Sequence, residues 1–257
     1  LADKTARLTE NRADSQAIGA GKIEFTLYKR DSIILFRSLI INWKYSLYKS
    51  LSMASENQTT KLTRERGRPR VFVMDEVLDK AMIVFRKKGY HASSIADLGE
   101  AMGLTAGSIY KAFIDKRTLF LRVFERYIAI RNADLRQRLH AFPDGRSRIE
   151  ELLQFYLDSA VEIEGRRGCL VVGSTVELQT LDEELSELVR QAVMRNQNFL
   201  VSLIAEGQKD GSISSHIEAE TAAGLLLCVA FGMRVVGKVQ DVTNGKKTIS
   251  MVMKVLD

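Results

Sequence analysis

Residues 89–113 read GYHASSIADLGEAMGLTAGSIYKAF, and the order of residues in this stretch decides the fold. Ser93 and Ser94 stand where a helix begins. Ser94-Ile95-Ala96-Asp97 has the hydroxyl-x-x-acid spacing in which side chain and backbone cap each other. Ile95, Leu98 and Met102 then recur at three- and four-residue steps, the period of one buried helical face. Gly103 supplies a tight turn, Leu104 returns to the core, and Thr105 caps a second short helix over about residues 106–114. Ile109 and Phe113 face inwards on that helix, which leaves Gly107, Ser108, Tyr110 and Lys111 for solvent. Two helices joined by a three- or four-residue glycine turn form a helix-turn-helix. Its second helix is short enough to enter a major groove, with hydroxyls and a cation to offer.

Working outward, a first helix is predicted over residues 75–88. Val77, Leu78, Ala81, Met82, Val84 and Phe85 line one face, acids stand in its first turn and cations in its last, and Gly89 ends it. Before it, residues 61–70 read KLTRERGRPR, with five cations and one acid. Placed directly ahead of such a motif, Arg68 and Arg70 are expected to grip a phosphate backbone.

GRPR followed by VLDKAMIVFRKKGYHASSIADLGEAMGLTAGSIYKAFIDKRTLFLRVFERY resembles the N-terminal domain of the TetR/AcrR family of bacterial transcriptional regulators. The resemblance covers about residues 67–127. It rests on the glycine after the first helix, the paired hydroxyls, Ile-Ala-x-Leu, Gly-Leu-Thr, Gly-Ser-Ile-Tyr, the Phe three beyond, and Asp-Lys before the next helix. Two positions depart from it: Ala106 stands where many members have Lys, and Ala112 where many have His. The resemblance implies that Thr105, Ser108, Tyr110 and Lys111 face DNA, with Gly107 allowing close approach. It further implies that Lys116, Ser93 and Ser94 contact the backbone at helix N-termini.

Downstream the chain continues in helical patterns. Helix four runs to about His140, helix five spans about 149–164, helix six about 170–181 and helix seven about 183–208. Helix eight, 217–239, is apolar on every side and must be covered on both. A second subunit is expected on its outer side, with a short helix nine (246–256) completing the bundle; the resemblance likewise implies a homodimer through the last two helices. Facing apolar and polar residues on helices five to seven, namely Phe155, Tyr156, Thr175, Gln179, Asn196 and Phe199, are the candidates for a small-molecule pocket. Cys169, beside Arg166 and Arg167 at a helix N-terminus, is a candidate redox or electrophile sensor, whereas Cys228 in the densest helix is expected to be structural.

The charge distribution agrees with a polyanion-binding front. The net charge is +6, yet residues 119–257 hold seventeen Lys/Arg against nineteen Asp/Glu, so the basic excess lies in the first half. Two cysteines in 257 residues fit a reducing cytosol and exclude a disulfide scaffold. The apolar run at 32–51 is broken by Arg37, Lys44 and Lys49, so it is not expected to span a membrane. Residues 1–52 are expected to be an upstream extension, because the first methionine is Met53 and a polar tail follows it. His91, His140 and His216 lack metal-ligand spacing. Residues 232–238 nearly spell a phosphate loop but have Val239 where Ser or Thr must bind magnesium. No cofactor, metal or catalytic activity is therefore expected.

The reading is an all-α protein of about nine helices: a helix-turn-helix head over 53–118 with a basic arm, and a regulatory and dimerisation body over 119–257. Its expected partners are palindromic double-stranded DNA, a second copy of itself and an unidentified small molecule, in the cytoplasm and away from membranes. The alternatives are a repressor that senses through Cys169 and, from another class, a helical protein of membrane surfaces.

Overall fold

The computed structural model describes residues 73–257. The expected arm with Arg68 and Arg70 and the expected extension over 1–52 lie outside the described residues. Within them the helices are α1 (Met74–Lys88), α2 (Ile95–Met102), α3 (Ala106–Phe113), α4 (Lys116–Leu139), α5 (Gly145–Asp158), α6 (Glu162–Arg167), α7 (Leu170–Val176), α8 (Glu183–Asp210), α9 (Ala219–Val239) and α10 (Gly245–Val252), followed by a 3-10 turn at Met253–Leu256. No strand occurs among the described residues, as the patterns predict.

Side-chain caps set most of the starts. Asp115, Asp144 and Asp182 each accept an amide three residues on, at Thr118, Ser147 and Leu185. Such a cap satisfies one of the amides a helix start leaves unpaired. The predicted fifth helix divides in two. Val161 is extended and Glu162 has a positive φ, while the Ser159 hydroxyl donates to the Phe155 carbonyl. The break turns the Glu162 amide to the Asp241 carboxylate, which ties α6 to the end of α9.

Two apolar clusters organise the fold. The first joins α1–α4 around Phe85, Leu98, Ile109, Phe113, Phe120 and Phe124, and also takes in Leu170, Val171, Leu185 and Val189 from α7 and α8. The second fills the space between the end of α4 and α5, α8, α9 and α10. Helix α4 therefore belongs to both, its first half in the head's core and its last turns, at Leu135 and Leu139, in the body's.

Helix α9 is apolar and long enough to cross a bilayer, the one such helix among the described residues. Its inner face, with Ala223, Leu226 and Ala230, is buried in the second cluster. Its outer face carries Leu225, Cys228, Val235, Val236 and Val239 in the open. Cys228, expected to be structural, thus lies on the uncovered side. The near-phosphate-loop at 232–238 is ordinary helix within α9.

Candidate nucleic-acid interface and buried cavity

The helix-turn-helix forms as the spacing predicts. Ser94 and Asp97 make the reciprocal capping box, and Thr105 accepts the Ser108 amide at 3.2 Å. Lys88 first, then the Ser94 amide and hydroxyl, hold the Asp97 carboxyl well below the usual carboxylate range. Gly103 is left-handed, as the turn requires. Gly99 contributes a condition the sequence reading did not include: a Cβ there would stand 2.8 Å from the Leu104 carbonyl oxygen, so only glycine lets the turn fold back on α2.

On α3, Ile109 and Phe113 are fully buried, and Thr105, Gly107, Tyr110 and Lys111 are exposed, with Ser108 half-buried. Nothing stands within 4 Å of the place a Gly107 Cβ would occupy, so that side of the helix is open. Ile114, taken as the last residue of this helix, lies just beyond it. Its φ of 69° and the 2.7 Å bond from the Asp115 amide to the Phe113 carbonyl make a γ-turn in a conformation a β-branched residue adopts only under strain.

Three expected backbone contacts are already engaged inside the protein. Lys116 donates to the carbonyls of Tyr90 (3.0 Å), Ser93 (3.1 Å) and His91 (3.4 Å), with its ammonium 4.6 Å from the centre of the Tyr90 ring. A Lys has three protons, and these carbonyls use them all. Ser93 is buried, and its hydroxyl donates to the Gly89 carbonyl. The Ser94 hydroxyl is taken up by Asp97. These three residues fasten the loop between α1 and α2, and their side chains are not free donors to a phosphate.

The same loop is held from the body. Glu177, just after α7, accepts the Tyr90 amide at 2.8 Å and the His91 amide at 3.0 Å. The His91 ring lies 3.1 Å from the Thr180 carbonyl, and Arg117 bonds Asp182 and Glu184. Deeper, Arg86 of α1 donates to the Gly168 carbonyl from Nε (2.8 Å) and Nη2 (2.6 Å) and pairs with Glu164 at 2.5 Å.

Beside Gly168 lies a partly open cavity of about 50 Å³ between α4, α5, α8 and α9, with Cys169 and Val171 at one side and the exposed Arg195 at its mouth. Phe155, Tyr156 and Asn196 line it as expected. Phe199 lines a smaller hollow that shares Leu135, Tyr156 and Asn196 with the first. Thr175 and Gln179 line neither. The Thr175 hydroxyl turns back to the Val172 carbonyl within its own helix, and Gln179 is exposed in the following turn. The cavity is therefore walled by α5, α7 and α8, which are the expected helices five to seven, and also by α4 and α9. Sequence reasoning missed Tyr127, Arg131 and Arg234. For Arg234 a signal existed, a lone cation in the middle of a helix that is otherwise apolar on every side.

Cys169 caps α7 at the cavity edge and accepts a 3.3 Å bond from the Tyr127 hydroxyl. Arg166 bonds the Gly237 carbonyl and Asp241, and Arg167 lies 3.7 Å from Glu164. The two arginines expected to activate the thiol thus face other partners, which does not favour the cysteine-sensing alternative. No cluster of three or more metal-binding side chains occurs among the described residues.

Comparison with known proteins places these features in a lineage. The family described as bacterial regulatory proteins, tetR family, matches residues 77–123, and the tetracyclin repressor-like C-terminal domain matches 145–245. The HTH-type transcriptional repressor ComR of Escherichia coli K12 is 30% identical over 187 residues, covering 71% of this chain and 87% of that protein. A cysteine-substituted TetR family regulator CifR, solved with 26-base-pair operator DNA, is 31% identical, with a TM-score of 0.60 over 74% of this chain and 98% of that one. FadR of Bacillus subtilis, solved with stearoyl-CoA, has the same fold at 16% identity, with a TM-score of 0.57 over 71% of this chain and 96% of that one.

Proposed function

The chain belongs to the TetR family of bacterial transcriptional regulators, and from that premise we propose that it is a dimeric repressor that holds a palindromic operator through α3 and lets go when a small molecule enters the cavity. The observation that carries this reading is the open face of α3. Gly107, Tyr110 and Lys111 stand exposed on an eight-residue helix whose other side is locked to the core by Ile109 and Phe113. Thr105, Gly107, Ser108, Tyr110 and Lys111 are the proposed contacts, with Tyr110 on a phosphate and Lys111 at a base edge. Arg68 and Arg70 are proposed to hold the backbone from the arm. The proposed division is a DNA-binding head over 53–118 and a regulatory body over 119–257, with α4 shared between them.

ComR, by its name a repressor, and CifR on its operator support repression through operator binding. The outward apolar stripe of α9 supports a homodimer, whose two α3 helices would sit about 34–36 Å apart to reach successive major grooves. Control follows from the packing: the cavity wall at Cys169 and Val171 leads through α7 to Glu177, which grips the loop before α2. A ligand that favours the released spacing by about 2.7 kcal/mol weakens operator binding about a hundredfold. The relatives are regulators and the reading assigns no catalytic step; the protein works in the cytoplasm, where its operator is.

The test is a gel shift with duplexes from the DNA flanking its own gene. One duplex should be retarded in the presence of excess unrelated DNA, and Lys111→Ala should lose discrimination by about 1–3 kcal/mol. Equal retardation of all duplexes would overturn the reading.

A further inference from the structure

The cavity's lining has a definite chemistry. Three arginines, Arg131, Arg195 and Arg234, line it, and no carboxylate does. The remaining walls combine apolar groups such as Ile128, Leu135 and Phe231 with the hydroxyl of Tyr156. The smaller adjoining hollow is apolar apart from the shared Tyr156 and Asn196. One end is thus cationic, and the space leads from it toward hydrocarbon.

Arg234 is the anomaly. Its side chain is 1% exposed, and only Nη2 is bonded, to the Gly168 carbonyl at 3.0 Å. Nε and Nη1 are buried without a hydrogen-bond partner among the described residues. The nearest carboxylate, Glu164, is 4.0 Å away and is already paired with Arg86 and in contact with Arg167. A guanidinium cannot shed its charge by losing a proton, and a buried cation without a counter-ion is costly. Arg131 lines the same cavity, where it stacks 3.9 Å over the Phe155 ring and donates to the Ser159 hydroxyl. Burial, and secondarily the neighbouring Cys169, push the Tyr156 hydroxyl above its ordinary range, so it remains a proton donor.

We infer that the effector of this protein is a small monocarboxylate with an apolar body, its carboxylate held by the free Nη1 of Arg234 together with Arg131. The inference rests on the ligand-controlled reading above and assigns that ligand its chemical class. A carboxylate presents two oxygens that match the end-on Nη1/Nη2 fork of a guanidinium, and it supplies a full counter-charge beside Arg234. The aryl or alkyl body then extends toward Leu152, Phe199 and Leu227. At about 50 Å³ the cavity must widen to admit it, which moves its walls. In that end-on grip the carboxylate competes with the Gly168 carbonyl for Nη2 of Arg234, and that carbonyl is the acceptor that anchors Arg86 of the head.

The experiment titrates the full chain, free of DNA, with benzoate, 4-phenylbutanoate, hexanoate and decanoate, each beside its neutral amide, by calorimetry and thermal shift. At least one carboxylate should bind about tenfold or more tighter than its amide, a difference of about 1.4 kcal/mol. Arg234→Met should abolish that preference, and Arg234→Lys, which keeps the charge, should restore part of it. Arg131→Gln is the second variant should Arg234→Met fail to fold, and it should weaken carboxylates without changing amide binding. If no carboxylate outbinds its amide, or if Arg234→Met keeps the preference, the inference is overturned. Operator binding is measured separately by gel shift. Carboxylate binding without operator binding would defeat the repressor reading alone, and operator binding without carboxylate preference would defeat this one alone.

Discussion

Arg86 and Arg234, one from the first helix of the head and one from the penultimate helix of the body, donate to the same oxygen, the carbonyl of Gly168. Gly168 takes φ 80°, which glycine adopts without strain, and this aims its carbonyl at both guanidinium groups. Among the described residues the carboxylate at this junction is Glu164, paired with Arg86 at 2.5 Å. Head and body are therefore joined by a polar node at the cavity's edge, where a small displacement is felt on both sides.

The node makes Arg86 the residue whose loss should separate the two parts energetically. Arg86→Met removes a buried guanidinium, leaves Glu164 with Arg167 at 3.7 Å and Arg234 at 4.0 Å, and takes two bonds from the Gly168 carbonyl. It should cost about 1–3 kcal/mol, the penalty for leaving a buried hydrogen-bonding group short of its partners. Urea unfolding checks the value. Operator affinity should become less sensitive to any ligand of the cavity, because the shared carbonyl no longer reports to α1.

Ile114 should be improvable. Its positive φ and γ-turn are strained for a β-branched side chain that is also 76% exposed and packs little. Ile114→Gly should raise stability by about 1 kcal/mol, with relief of strain exceeding the entropy glycine adds to the unfolded chain. A lower melting temperature would mean that the side chain makes contacts that outweigh the strain.

Lys111 and Lys116 should behave oppositely, although both are lysines of the helix-turn-helix region. Lys111 is exposed and free, and Lys116 spends its protons on three carbonyls. Lys116→Ala should lower the head's stability and leave the salt dependence of operator binding unchanged. Arg68→Ala, from the arm, should reduce the slope of log affinity against log salt by about 0.9, one phosphate contact. A lowered slope in Lys116→Ala would return that residue to the DNA surface.

The helix-turn-helix was legible because its determinants are local: capping hydroxyls, an i, i+4 apolar pair and one glycine turn, all within 25 residues. That locality carries no signal for how Lys116 and Ser93 bond within the protein. Their side chains point to carbonyls of a loop more than twenty and four residues away, and no spacing rule records that. The cavity was half legible. Phe155, Tyr156 and Asn196 were found by apolar-polar alternation on their helices, but Tyr127, Arg131 and Arg234 come from α4 and α9, which reach the cavity only through tertiary packing. Glu177, which grips two amides 86 and 87 residues earlier in the chain, has no local signal.

The stripe on α9 gives the last prediction. Leu225 is 47% exposed, Val235 55% and Val239 79%, at helical steps on the side away from the core, with Cys228 between them. A helix this apolar on an open face is stable in water when a second surface covers it. Glutamates at Leu225 and Val236 would face like charges across a two-fold interface and stop it closing, whereas the inner face at Ala223, Leu226 and Ala230 is untouched. Leu225→Glu with Val236→Glu should therefore sediment as a folded monomer with an unchanged far-ultraviolet helical signal. Operator affinity should fall by at least about a hundredfold, because the second half-site is no longer bound at the effective concentration a dimer provides. Affinity for a duplex carrying a single half-site should stay the same, since α3 and its supports lie in another part of the fold. A variant that remained dimeric would move the interface to a different face.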